Sequence, residues 1–175
     1  FTQRLWRTVT TNLDADAANI DEPAEFSKAA KELRRITHMS MDMIGKDIEN
    51  FHFNASVAQT YKFANAIAAF DADGSDGDRY ALFEAIKTII IITSPMMPHL
   101  SEEMWTLIGG EGLIADAAWP VARPELMQQT SVTVIVQVQG KLRDKLDVAK
   151  DMDKAELEAL ALASSKVQSF IGDKQ

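Results

Sequence analysis

The stretch Lys28-Ala-Ala-Lys-Glu-Leu-Arg-Arg-Ile-Thr-His-Met-Ser-Met-Asp-Met-Ile44 decides the fold class. Leu33, Ile36 and Ile44, with Phe51 beyond them, fall on one side of an ideal helical wheel, as the 3.6-residue period of an amphipathic helix requires. Lys28, Lys31, Arg35 and His38 recur at i, i+3, i+7 and i+10 and form a basic stripe on the opposite side, with Arg34 on its shoulder. The helical pattern runs from Pro23 to about Phe51, and similar patterns flank it. Leu5, Trp6 and Val9 belong to a helix ending near residue 9, and a polar, loop-like stretch separates it from Pro23. A further helix from Asn54 to Phe70 has Val57, Tyr61, Ala64, Ala68 and Phe70 as its inward positions. The next helix ends near Thr93, and the run Ile89 to Ile92 predicts burial on most of its sides. Pro95 and Pro98 break it, and a short helix from His99 to Ile108 stops at Gly109 and Gly110. The expected architecture is an antiparallel helical bundle.

After Pro120 the period changes. Val132, Val134, Val136 and Val138 alternate with Thr133, Ile135, Gln137 and Gln139, which is strand periodicity. Gly140 turns the chain, and Lys141 to Val148 alternates again as the return strand of a hairpin. An amphipathic helix follows from Asp151 to about Lys166. The expected fold is therefore mainly α, a helical bundle over 1–125 followed by a small α/β unit over 126–175. That unit holds one hairpin and one helix and is truncated at its end.

Composition narrows the function classes. With 46% hydrophobic residues the chain can bury a real core, which excludes a disordered or collagen-like protein. The absence of Cys excludes a disulfide scaffold and any thiolate metal site, and fits a reducing compartment. The densest apolar run, Ile89 to Ile92, is far short of a membrane span. A net charge of -8 argues against a general nucleic-acid binder, but the charge is unevenly distributed. Residues up to 125 carry 11 basic and 19 acidic groups, and the remainder carries 7 of each. The acidity belongs to the bundle, which leaves room for a local basic site.

No catalytic constellation is legible. His38, His52 and His99 lack metal-ligand spacing, and there is no G-x-G-x-x-G, P-loop or G-x-S-x-G. The link from Asp71 to Asp78 fits no calcium-loop register and is expected to be a solvated inter-helix turn. Two basic features are candidates for RNA phosphate contact, with an ordinary solvated face as the alternative. One is the stripe of Lys31, Arg34, Arg35 and His38. The other is Lys141, Arg143 and Lys145, which strict alternation puts on one face of the return strand, with Leu142 and Leu146 on the other.

Several segments, in order, resemble the C-terminal part of bacterial leucyl-tRNA synthetases. They are Arg4-Leu-Trp-Arg7, Leu33-Arg-Arg-Ile-Thr-His38, Phe53-Asn-Ala-Ser-Val57, Pro95-Met-Met-Pro-His-Leu-Ser-Glu-Glu-Met-Trp105, Trp119-Pro120 and Val136-Gln-Val-Gln-Gly-Lys-Leu-Arg143. The P-H-x-x-E-E-x-W pattern is shared with the valyl, isoleucyl and methionyl enzymes; the V-Q-V-x-G-K-x-R hairpin narrows the resemblance to the leucyl one. The resemblance implies an anticodon-binding helical domain and a small C-terminal domain that contacts the outer corner of the tRNA. Its implied partners are a leucine tRNA and the catalytic and editing domains of the same chain. The parent enzyme would join leucine to tRNA with ATP and Mg²⁺, as a cytoplasmic monomer with no membrane role.

The family's nucleotide-binding signatures, H-I-G-H and K-M-S-K-S, are missing, so this portion is expected to hold no catalytic residue, cofactor or metal and to dock tRNA instead. It opens at Phe1 rather than Met and lacks the family's last strand, which fits a piece cut from a longer protein. The hairpin turn, usually Asn-Gly, is Gln139-Gly140 here, and Gln enters left-handed conformations less readily than Asn. The rival readings are the same portion of a sister synthetase and a stand-alone helical protein-interaction module.

Overall fold

A computed structural model describes residues 1–128, 131–138, 140–150 and 152–171. It resolves into two compact units, Phe1–Gln128 and Gln129–Gln175. The division falls after Gln128 rather than at residue 125, because a last helical turn belongs to the first unit.

The first unit is built from α1 (Thr2–Asn12), α2 (Lys28–Glu49), α3 (Phe53–Ala68), α4 (Asp76–Thr93), α5 (Pro98–Leu107) and α6 (Pro124–Met127), with 3₁₀ turns at Ala15–Asn19 and Ile114–Asp116. Its centre is α4. Ile86, Ile89, Ile90 and Ile92 have at most 1% of their surface exposed, and α2, α3 and α5 all pack against this helix. A helix apolar on most sides has to be enclosed, and the Ile run dictated this arrangement. Leu5 and Val9 of α1, Leu33 and Ile44 of α2, Phe63 and Ile67 of α3, and Met104 of α5 complete the core. α6 packs on α2 and so closes the unit.

Two of the helix starts are joined. Ser27 Oγ accepts the Ala30 N–H at 3.0 Å as the N-cap of α2 and donates to Asp78 Oδ1 at 2.5 Å. Asp78 also accepts the Asp73 N–H at 3.1 Å through Oδ2, and its own N–H donates to Ser75 Oγ, the N-cap of α4. Asp78 is therefore buried, with 1% exposure, which corrects the reading of the whole link as solvated; only Asp71 to Asp76 lie open. Such close approach of the segment before α2 requires a glycine at 77. A Cβ there would lie 2.8 Å from the Glu25 carbonyl oxygen.

On α3 the inward face differs from the one apolarity suggested. Ser56, Thr60, Phe63, Ala64 and Ile67 are buried, whereas Val57, Tyr61 and Ala68 are exposed. The helix is turned by one residue, about 100°. Small hydroxyl side chains face inward because they permit close helix contact, and Thr60 satisfies itself by donating to the Ser56 carbonyl at 2.8 Å. Phe51, assigned to the apolar face of the preceding helix, is 79% exposed with a φ of 60°, beyond the end of α2 at Glu49.

The second unit holds β1 (Ser131–Val138) and β2 (Lys141–Ala149), an antiparallel pair, followed by α7 (Lys154–Ala163) and α8 (Ser165–Ile171). Gly140, at a φ of 74°, lies at the turn; Gln139 of that turn and Asp151, the expected first residue of the helix, lie outside the described residues, and α7 starts at Lys154 with Asp153 as its N-cap. The single helix expected here is two. Ser164 between them is extended (ψ 122°), and its hydroxyl donates to Asp144 Oδ2 of β2 at 2.5 Å, a long-range bond that ties the break to the hairpin. Val148 and Val167 are the buried apolar side chains described in this unit. Among the described residues no helix is long and apolar enough to cross a membrane.

Gly77→Ala is expected to cost about 1–3 kcal/mol, because a backbone oxygen rather than a flexible side chain opposes the new methyl. Urea unfolding should show a lower midpoint at unchanged slope, and an unshifted midpoint would show that the 25–27 segment yields freely.

Candidate nucleic-acid interface

The basic stripe on α2 is not the exposed ridge that the wheel suggested. Lys28 and Lys31 lie at the surface, and Arg35 is half-buried, its Nε and Nη2 donating to the Glu32 carboxylate at 2.7 and 2.6 Å. Arg34 and His38 are buried instead, with 3% and 2% exposure. They turn toward α4 and face Glu84, a carboxylate on an otherwise mostly apolar helix. An isolated charge there would be costly, and pairing offsets the cost.

The pairing is extensive. Arg34 Nε donates to Glu84 Oε2 at 2.8 Å, and Arg34 Nη2 donates to Glu22 Oε1 at 2.7 Å. The guanidinium lies 4.3 Å from the centroid of the Phe26 ring and 5.3 Å from that of Tyr80, so aromatic faces cover what the carboxylates do not. Arg123, from the segment leading into α6, donates to both Glu22 oxygens at 2.9 and 3.0 Å. Its backbone N–H donates to His38 Nδ1 at 3.1 Å. That bond needs the Nδ1 lone pair, so the ring proton sits on Nε2, which donates to Glu84 Oε1 at 3.3 Å. Two guanidinium groups and two carboxylates thus balance in charge around the imidazole.

The carboxylates record this environment. The Glu22 pKa is lowered to about 2, chiefly by the hydrogen bonds from Arg123, with burial opposing and Arg34 assisting. For Glu84 burial is the largest influence and acts upward, but hydrogen bonds from His38 and Arg34, with the Arg34 charge, outweigh it and hold the pKa below the ordinary value. Glu22, Glu84 and Arg123 did not stand out in the sequence. Glu22 and Arg123 lie 101 positions apart with no local pattern. Glu84 carried one signal, a charge between Phe83 and Ala85 on a helix that had to be buried.

The hairpin cations are also rearranged. Gln137 pairs with Leu142 and Val136 with Asp144, so Arg143 is an extra residue in β2, a β-bulge. The bulge shifts the alternation. Lys145 pairs with Ile135, whose neighbours in β1 put it on the outer face, whereas Lys141 pairs with Val138 on the opposite one. Lys141, Arg143 and Lys145 therefore do not share a face, contrary to strict alternation. Lys141 and Lys145 are exposed, and Arg143 is half-buried.

Comparison with known proteins gives three findings. A family model described as the anticodon-binding domain of tRNA ligase matches residues 30–159. A leucine–tRNA ligase of Paramagnetospirillum magneticum is 42% identical over 174 residues, 99% of this chain and 20% of that protein. One of Parvibaculum lavamentivorans is 43% identical over 176 residues, with the same coverage of 99% and 20%. Among solved structures, a chain of an Agrobacterium radiobacter LeuRS–tRNA–LeuAMS ternary complex superposes with a TM-score of 0.69 at 25% identity, covering 99% of this chain and 23% of its own. The chain thus spans about a fifth of the length of the curated relatives it matches.

Because both carboxylates have depressed folded-state pKa values, their contribution to stability is full above the unfolded value and is lost as the pH falls through the folded one. Glu22→Gln is therefore expected to flatten the loss of stability between about pH 4.5 and about 2. Glu84→Ala should cost about 3–5 kcal/mol at neutral pH, since it leaves Arg34 buried beside a single carboxylate. Acid titrations of the denaturation midpoint check both; an unchanged profile in Glu22→Gln would mean that the cluster does not couple protons to folding.

Proposed function

The chain belongs to the anticodon-binding domain family of tRNA ligases, and on that premise we propose that it is the tRNA-docking portion of a leucyl-tRNA synthetase. The observation that carries this reading is the extent of the match. Leucine–tRNA ligases align through 99% of the chain, across the bundle and the hairpin unit alike. In this proposal the complete enzyme attaches leucine to its tRNA with ATP and Mg²⁺, and this portion holds the tRNA so that its distant end reaches chemistry sited elsewhere, an orientation role. Its partners are a leucine tRNA and the catalytic and editing domains of the same protein. Among the described residues no group of three His, Cys, Asp or Glu side chains could hold a metal ion.

The RNA-facing cations in this reading are Lys31 and Arg35 on α2, and Lys141, Arg143 and Lys145 on the hairpin. Exposure supports the first pair, since a phosphate can reach Lys31 directly and can displace the exposed Glu32 from Arg35. A pair of that kind contributes at most about 1 kcal/mol, so exchanging its carboxylate for a phosphate costs little. Arg34 and His38 hold α2 against α4 and leave the interface. Reversing Arg34 is a folding experiment rather than a binding one.

The double variant Lys31→Glu/Arg35→Glu is expected to weaken binding of a leucine tRNA transcript and to make log K less steep against log salt, while thermal unfolding stays close to wild type. Unchanged affinity and slope would remove α2 from the interface. No gel shift of any tRNA by the wild-type chain at low salt would favour a protein-interaction module instead.

A further inference from the structure

Four arginines of the first unit are engaged by carboxylates: Arg34 by Glu22 and Glu84, Arg35 by Glu32, Arg79 by Asp14, Arg123 by Glu22. Arg143 in the second unit is held differently. Its guanidinium carbon lies 3.5 Å from the centroid of the Phe170 ring of α8, the separation of stacked planes. Its Nε is buried and has no hydrogen-bond partner. Among the described residues no carboxylate lies within ion-pair distance of it. The adjacent Asp144 is occupied, accepting from the Ser164 hydroxyl at 2.5 Å and from Lys166 Nζ at 3.1 Å.

The backbone supports the same arrangement. The bulge inserts Arg143 as an unpaired residue in β2, and α8 packs against both strands. A bulge re-aims a side chain that regular alternation would send elsewhere. A buried guanidinium nitrogen without an acceptor carries a desolvation cost, so its presence in a folded chain calls for an explanation.

We propose that Phe170 is a positioning residue, whose ring holds the Arg143 guanidinium flat and unneutralised so that it can engage an RNA backbone phosphate. This rests on the reading of the hairpin as RNA-facing and names the residue that makes one of its cations effective. A planar fork whose orientation is already fixed loses less conformational freedom when it meets a phosphate than a free side chain does. An aromatic plate orients the fork without cancelling its charge, as a carboxylate would.

The test measures binding of the full 175-residue chain to a leucine tRNA transcript over a NaCl series, with proton NMR of Arg143. Arg143→Ala is expected to weaken binding roughly tenfold or more and to reduce the salt slope by about one. Phe170→Leu, which keeps an apolar side chain but removes the ring, should reproduce most of that loss, and Phe170→Tyr should behave as wild type. The double variant Arg143→Ala/Phe170→Leu should be no worse than Arg143→Ala alone, which a purely structural role for Phe170 would not produce. In the free wild-type chain, ring current should shift the Arg143 side-chain protons upfield. Ordinary shifts there overturn the stacked geometry, and with it the proposal, whatever the variants do. If Arg143→Ala weakens binding but Phe170→Leu does not, or the two losses add, the positioning role fails and the RNA reading survives. If Arg143→Ala binds as wild type, the RNA-facing reading of this cation fails and the proposal falls with it.

Discussion

Arg34 against Glu84 is the contact on which the bundle's geometry depends. Two ions in a mostly apolar layer attract strongly only when their hydrogen-bonding capacity is also filled, and here it is filled from four places in the chain. Glu22 comes from the loop before α2, Arg34 and His38 from α2, Glu84 from α4 and Arg123 from the segment before α6. A buried ion pair is weak support for stability, because a well-packed apolar replacement can do as well. It is far more effective at specifying register. Sliding α2 along α4 by one turn would move Arg34 by about 5.4 Å and strand two opposite charges in the core. The Ile-rich face of α4 could tolerate such a slip; the ion cluster could not.

The same cluster fixes the path of the chain as it leaves the core. Residues 108–123 contain only a single 3₁₀ turn, at Ile114–Asp116. Glu102 of α5 accepts the Ile114 N–H at 3.1 Å near the start of that path, and His38 accepts the Arg123 N–H near its end. Between these points the chain has no helix to define its course, so two side-chain acceptors on packed helices perform that task. Polar groups at the core margin thereby position α6, which has no buried residue of its own.

Much of the architecture was legible because it rests on local periodicity. The Ile run declared a central helix, the prolines at 95 and 98 declared a break, and the alternating valines declared a strand. The failures share a different cause. On α3 the inward face is partly Ser56 and Thr60, since close packing selects for small size as well as apolarity. On α2 the wheel separated basic from apolar residues, yet a guanidinium can be buried when carboxylates and rings surround it, and those arrive from positions 22, 84, 26 and 80. On β2 a single inserted residue changed which face each later side chain occupies, and no composition rule marks where a bulge will fall. Long-range partners and one-residue register shifts are the information that periodicity does not carry.

These corrections change how an acidic chain can approach a polyanion. The bundle carries most of the acid, and its buried arginines are neutralised by it, so neither the net charge nor the arginine count measures what a phosphate would encounter. What matters is which cations lie at the surface without strong internal acceptors. By that criterion Lys31 is directly available and the carboxylate that holds Arg35 is an exposed one, while Arg34 is not available at all. In the second unit equal numbers of acidic and basic groups cancel overall, yet Asp144 is engaged by Ser164 and Lys166 while the neighbouring Arg143 rests on a ring. Neutrality of the whole is thus compatible with an individual cation that no acid neutralises, as at Arg143.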